Sequence, residues 1–265
     1  MSSYLLASPE EKARLQLQVR VWESESEAML DRIGVQPGWT CLDLGCGAMG
    51  ILRLLSRRAG SQGRVVGMDA DTSLLNAARA YVEDEGLTNV ELREGDAHHT
   101  GLPYGTFDLV HERFVFPYVA VEKALGEMIA LAKPGGVIAT EEPDQYSWNY
   151  YPESPQWPRL RQIIEAAFAL RGDINVGRRT YALLREAGLE DVTVRAGVLA
   201  LQNSHPYMRL PIMGINAMRP HILKAGLSSD AELDALLADV ERMVSDPQTM
   251  QITFTLVQVW GRKPA

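Results

Sequence analysis

Cysteine is nearly absent: Cys41 and Cys46 are the two in 265 residues. Their separation fits neither the CxxC spacing of a redox or metal site nor a disulfide framework, so both read as small packing residues. Positive charge is also in short supply. Against 34 acidic residues stand 26 Lys and Arg, a net charge of −8 with no basic run. Such a surface gives a phosphate backbone no electrostatic reward and argues against a DNA or RNA substrate. No stretch of about 18 apolar residues occurs, so no membrane span is expected. Residues 1–8 lack the basic and apolar regions of a secretory leader, and a cytoplasmic protein is expected. Metal-ligand spacing is missing as well. His98 and His99 are neighbours whose side chains point apart on a strand, and no carboxylate or cysteine is spaced to complete a site. They read as solvated loop residues, and no metal is expected. Internal repeats and low-complexity segments are not evident.

What the chain has is a 46% share of hydrophobic residues, ample for a sizeable core, and one turn dense in glycine. Residues 39–44 form a short apolar run suited to a buried parallel strand, and Ile51, Leu52, Leu54 and Leu55 give the next segment a helical apolar face. Between them lies Asp43-Leu44-Gly45-Cys46-Gly47-Ala48-Met49-Gly50. Glycine there permits positive φ and close approach of a ligand, while the helix start offers free N–H groups. Further strands are expected at 64–69, 90–94, 107–111 and 137–141, with helices at 72–85 and 119–133. This alternation implies βαβ units and a parallel sheet.

The spacing Gly45-x-Gly47-x-x-Gly50, with Asp69 about 20 residues on, fits a dinucleotide fingerprint and by itself leaves NAD and S-adenosylmethionine open. Two details favour the second. Asp43 stands two residues before the first glycine, and Gly95-Asp96-Ala97 puts another acid after the third strand. On these residues, over roughly 35–200, the chain resembles the class I S-adenosylmethionine-dependent methyltransferases, particularly the small-molecule branch with the ubiquinone/menaquinone-type enzymes. The resemblance implies S-adenosylmethionine as cofactor. Gly45, Cys46 and Gly47 would face its methionine part, and Asp69 would accept both ribose hydroxyls through two carboxylate oxygens. Ala70, Asp96 and Ala97 would bracket the adenine. Asp43 would orient the turn or reach the ammonium through water. Tyr4 and Gln18 would look inward at the cofactor, with plain surface positions as the alternative. Glu112 could offer its carbonyl, and Arg113 could pair with the cofactor carboxylate, buttress the N-terminal helix, or pair with Glu112.

The expected fold is α/β: a Rossmann-like, doubly wound, seven-stranded sheet with its last strand antiparallel. Strands at 192–200 and around 251–256 would form the terminal hairpin. A helical cap comes from the first helix, which a capping box at Ser8-Pro9-Glu10-Glu11 starts and Gly34 stops. An insertion lies between the last two strands, where about 50 residues must form something. Ser229-Asp230-Ala231-Glu232 starts a helix within it. The division is 1–34 for the cap, 35–202 with 249–265 for the cofactor domain, and 203–248 for a helical lid. Trp148, Tyr150, Tyr151 and Trp157 lie in an irregular stretch read as a wall of the acceptor pocket. Met208, Met213, Met218 and Met243 suit a surface that adapts to an apolar ligand. Both sets could equally be packing. Glu142, Asp144 and His205 are candidate bases, needed only for a protonated nucleophile. The function expected is methyl transfer to an O, N or C nucleophile of a small, partly apolar metabolite. An NAD(P)-dependent oxidoreductase and a non-methylating cofactor-binding protein are the alternatives. A homodimer is left open.

Overall fold

In a computed structural model, residues 9–170 and 172–265 are described, with side chains from Ala13 onward. Tyr4 and the capping box beginning at Ser8 lie outside the described residues. The first helix, α1 (Pro9–Ile33), ends where Gly34 turns to φ +73° and returns its N–H to Leu30. The expected alternation follows it: β1 (Thr40–Leu44), α2 (Leu52–Ala59), β2 (Arg64–Asp69), α3 (Thr72–Asp84), β3 (Val90–Glu94), β4 (Phe107–Arg113), α4 (Val121–Leu131) and β5 (Ala132–Asp144). Asp71 caps α3 by accepting from the N–H groups of Ser73 and Leu74, which satisfies two of the donors a helix start leaves free. The chain continues through β6 (Asn149–Tyr151), α5 (Trp157–Ala169), α6 (Gly177–Glu186), β7 (Glu190–Gly197) and β8 (Ala200–Gln202). It ends with α7 (Leu210–Lys224), α8 (Asp230–Ser245), β9 (Met250–Ile252) and β10 (Thr255–Arg262).

Seven strands make the main sheet in the order β3-β2-β1-β4-β5-β10-β7, with β10 antiparallel to both neighbours. The winding reverses between β1 and β4, so the crevice where ligands bind in such sheets opens beyond Leu44 and Arg113. Period-two alternation sends β1 side chains to opposite faces. Leu42 and Leu44 pack with Val110, Phe116 and α4 on one face, and Cys41 packs with Met29, Leu30, Leu52 and Leu55 on the other.

A third core lies above the sheet edge. Trp22 of α1, Trp148, Tyr150, Trp157 and Leu160 meet Ile215 of α7, Val240 of α8 and Phe254. The cap is therefore a layer packed from four helices, and it includes a small antiparallel sheet, β6-β9-β8, that sequence patterning did not reveal. The expected strands 192–200 and 251–256 are each split by one irregularity. Thr253 N–H donates to the Leu199 carbonyl, Leu199 N–H donates to Thr253 Oγ1, and the paired chains bend there. The bend turns Phe254 into the third core against Trp22, 5.0 Å between ring centroids. Strand four is longer than expected and carries Glu112 and Arg113 within it rather than after it. The stretch from 145 to 158 is not simply irregular: it holds a 3-10 turn (Gln145–Ser147), β6 and the start of α5, a helix the sequence reading did not include. Ser229 caps α8 as expected, and Glu232 interacts with the Ser229 backbone as well as pairing with Arg159.

Candidate active site at the carboxyl edge of the sheet

The turn after β1 is shaped by what surrounds it. Cys46 N–H donates to the Met68 carbonyl at 2.8 Å, which ties the turn to β2. Gly47 N–H donates to Asp69 Oδ2 at 2.8 Å, and Asp71 N–H donates to Asp69 Oδ1 at 2.9 Å. Burial raises the Asp69 carboxyl above its ordinary value, against the pull of those N–H groups. Gly47 stands at φ +55° with open space where a Cβ would project. Cys46 is buried, and desolvation pushes its thiol well up, so it is inert.

Asp43 faces back into the protein. Its Oδ2 accepts from Ile51 N–H at 2.9 Å, and its Oδ1 meets His111 Nδ1 at 2.8 Å. The in-register pairing of Asp43 with His111 puts both on one face. His111 Nε2 in turn meets Glu141 Oε1 at 3.0 Å. Burial alone would lower the imidazole, but the two carboxylates outweigh it and hold His111 up at about 9. It is therefore an imidazolium at neutral pH between two buried acids. Ser26 donates to Glu141 Oε1 at 2.6 Å and accepts from Arg113 Nη1 at 2.8 Å, and Gln258 donates to Glu141 Oε2 at 2.7 Å. Arg113 thus buttresses α1 through Ser26, the second of the roles weighed for it.

On the opposite face, Glu112 and Glu142 are fully buried and hydrogen-bonded to each other. Glu112 Oε2 accepts from Val115 N–H at 3.1 Å and Glu142 Oε1 from Phe116 N–H at 2.8 Å, while among the described residues Glu112 Oε1 and Glu142 Oε2 meet no other donor. Two carboxyls can bond each other only through a proton held between them. Burial first, then the Glu142 charge, lifts Glu112 well above the usual carboxylate range, and burial lifts Glu142 to about 8. Between an unfolded value of about 4.3 and about 8, the folded chain keeps a proton that the unfolded chain has lost. Stability from this pair therefore falls as pH rises through that window. Glu142→Gln can still accept from Phe116 and donates its own N–H to Glu112. Thermal melts should place the variant a few degrees above wild type at pH 8 and level with it at pH 5.

Both acids clamp one short loop. Its first residue, Phe114, has φ +63°, a left-handed conformation that is an outlier for a bulky side chain and that concentrates at functional sites. Next, Val115 packs so closely on Gly45 that a Cβ there would collide with it. Phe114, Pro117 and Tyr118 line a hollow with Gln18 of α1, Gln145, Trp148, Phe168 of α5, Met218 of α7 and Phe254. The lining is mostly apolar.

Of the residues singled out in the sequence, Asp43, Gly45, Cys46, Gly47, Asp69, Glu112 and Arg113 gather where β1, β2 and β4 end. Ala70 is exposed just beyond β2. Asp96 is exposed after β3 and bound to His98, which also accepts from Ala120 N–H at 3.0 Å. His98 is therefore a bridge to the start of α4, where a solvated loop residue was expected. Ala97 packs beside the α4 face. Gln18 accepts from Arg14 at 2.6 Å and lines the hollow. Glu142 and His205 do not line it, and His205 instead accepts from Tyr207 N–H as a cap. Of the four aromatic residues, Trp148 lines the hollow; Tyr150 and Trp157 stack edge to face 5.0 Å apart in the third core, and Tyr151 is partly exposed. Among the methionines Met218 lines it, and Met208 and Met243 are core.

A family model described as a methyltransferase domain matches residues 41–136, the stretch from β1 into β5. Beyond that stretch, the ubiquinone/menaquinone biosynthesis C-methyltransferase UbiE of Enterobacter sp. (strain 638) is 30% identical over 210 residues, 71% of this chain and 81% of the relative. The chain belongs to the class I S-adenosylmethionine-dependent methyltransferases. A demethylmenaquinone methyltransferase of Bacillus cereus (strain B4264) is 35% identical over 130 residues, 48% of this chain and 52% of the relative. The chain spans about half the length of that relative and of others it matches. Among solved structures, a SAM-dependent methyltransferase from Aquifex aeolicus is 25% identical, covering 74% of this chain and 92% of its own at a TM-score of 0.52. Membership in these methyltransferases sets aside the nicotinamide alternative.

Sequence reading did not find His111 and Glu141 as partners of Asp43, nor the Glu112–Glu142 pair. A signal existed. Three consecutive polar residues, His111-Glu112-Arg113, and two glutamates, Glu141-Glu142, follow the apolar runs Leu109-Val110 and Val137-Ile138-Ala139 of their strands. Charged residues on a buried strand must find partners, and the neighbouring strand is where they find them.

Proposed function

We propose that this methyltransferase moves a methyl group from S-adenosylmethionine to an oxygen, nitrogen or carbon of a small, partly apolar metabolite. The observation that carries the reading is that one loop serves two sites, with Val115 against the glycine turn and Phe114, Pro117 and Tyr118 in the wall of the hollow. The residues at the turn fit the cofactor. Gly45 and Gly47 present backbone without side chains, the space beside Gly47 is open, and Asp69 is fixed to that turn with lone pairs to spare. When bound, S-adenosylmethionine supplies a methyl group activated on a sulfonium.

In this reading Gly45, Cys46 and Gly47 face the methionine part of the cofactor, Asp69 accepts from the ribose hydroxyls, and Ala70, Asp96 and Ala97 flank the adenine. Asp43 orients the turn through Ile51. Gln18 and the end of β4 at Glu112 and Arg113 stand between cofactor and acceptor. The hollow, covered by α1, α5 and α7, keeps water out and holds the nucleophile in line, which is the larger part of catalysis for a displacement of this kind. Residues 203–248 act as its lid. Glu142 is assigned to the proton-sharing pair rather than to a general base. The net charge of −8 speaks for a metabolite over a nucleic acid, and two buried, unpaired thiols suit a cytoplasmic enzyme.

Calorimetry with S-adenosylmethionine and a methyl-release assay over metabolite fractions test the proposal. Asp69→Ala should weaken cofactor binding about 10- to 100-fold, the range for charge-assisted bonds. Unchanged affinity in that variant would remove Asp69 from the site, and binding without methyl release on any fraction would leave a cofactor-binding protein that is no enzyme.

A further inference from the structure

We propose that Gln145 selects the ligand of the hollow: its amide oxygen accepts a hydrogen bond from an O–H or N–H on an otherwise apolar, ring-sized methyl acceptor. That the ligand is the methyl acceptor rests on the function proposed above. That it carries a donor rests on the geometry at residue 145.

Gln145 is the first residue past β5, and its main chain is held on every side. Its N–H donates to Asn175 Oδ1 at 2.8 Å, and its carbonyl accepts from Trp148 N–H at 3.1 Å. The preceding Asp144 accepts from Tyr146 N–H at 2.9 Å and from two nitrogens of Arg178 at 2.5 and 2.8 Å. The side chain is treated differently. It is 2% exposed and lines the hollow, yet among the described residues its Oε1 meets no donor. Buried polar atoms are nearly always paired, because an unpaired one keeps its full desolvation cost. A rigid main chain that holds an unpaired amide oxygen in the wall of an apolar space leaves that oxygen to gain a partner when a ligand brings a donor.

The rest of the lining defines the ligand further. Arg14 spends Nη1 on Gln18 Oε1 at 2.6 Å. Phe114 and Trp148 both stand edge to face on Phe254, each 5.9 Å away. These rings suit a flat apolar body, and a mostly apolar lining with a few polar groups is what small-molecule sites have. An amide oxygen only accepts, so the group that meets it must donate: a phenolic or enolic hydroxyl, or an amine or ring N–H. A carboxylate or phosphate in that position would meet a second acceptor.

Calorimetry on the full chain with 2-naphthol and 2-methoxynaphthalene, a pair that differs in the donor, reads this directly. Wild type should prefer the naphthol about tenfold, the ratio for one good hydrogen bond. Gln145→Leu should lose about that factor for the naphthol, leave the ether unchanged, and bind S-adenosylmethionine as wild type does. Gln145→Met serves as a second variant should the leucine fail to fold. Since each removes an unpaired buried oxygen, both should melt no lower than wild type. Equal binding of the two probes by wild type, binding of neither, or a wild-type preference that survives in the variants overturns the proposal. Failure of the methyltransferase reading appears elsewhere, as absent cofactor binding or methyl release, and leaves the probe ratio untouched.

Discussion

His111→Leu should destabilise the chain by about 3–5 kcal/mol, the range for removing one partner from a buried ionic cluster. Asp43 and Glu141 are 2% and 0% exposed, and the imidazolium is the charge between them. Without it, among the described residues, Asp43 keeps Ile51 N–H, and Glu141 keeps Ser26 and Gln258. Leucine fills the space but brings no charge. The pH dependence gives a second reading. A histidine raised from 6.5 to about 9 in the folded state contributes stability that is complete below about 6.5 and disappears as pH rises through about 9. Wild type should therefore lose stability across that interval, and the variant should lack this component. Urea unfolding from pH 6 to pH 10 measures both effects. A loss below about 1 kcal/mol at pH 6, or parallel pH curves, would mean that the imidazole is neutral and dispensable.

The second large effect is expected at Gly50. It sits at φ +49°, where an L side chain costs about 1–2 kcal/mol. A Cβ there would run into Asp43 Oδ2 and come within 2.9 Å of the Cys46 carbonyl oxygen. A flexible carboxylate could step aside, but Asp43 is held by Ile51 N–H and His111 at once. The methyl group must therefore displace the turn or break the buried cluster. Gly50→Ala should cost roughly 2–4 kcal/mol in unfolding experiments and weaken S-adenosylmethionine binding at least tenfold, since Gly45 and Gly47 move with the turn. By contrast Gly47→Ala meets open space and carries only the backbone cost, so it should be the milder in stability. If Gly50→Ala proves as stable as wild type, the fixed position of Asp43 is wrong.

These two variants also separate what was legible in the chain from what was not. The glycine turn was legible because its cause is local: residues within one turn must adopt positive φ, and glycine is the residue that does so freely. The identity of Asp43 as the turn's anchor was half legible. Its place before the first glycine was visible, but His111 stands 68 residues further on, and only the β1–β4 register brings them face to face.

The sequence by itself determined the order of strands and helices from Thr40 to Asp144, the cap at Ser229, and the family, because periodicity and turn chemistry act within a few residues. Tertiary structure alone decided which buried acids share a proton, that Phe254 leaves its strand to enter the cap, that α5 and the β6-β9-β8 sheet build that cap, and that Gln145 lies in the wall of the hollow with its amide oxygen unpaired among the described residues. Each of these depends on contacts between distant segments, such as Ser26 with Glu141 or Tyr150 with Met208. Their energies are set by burial and register, which a local pattern of polar and apolar residues does not encode.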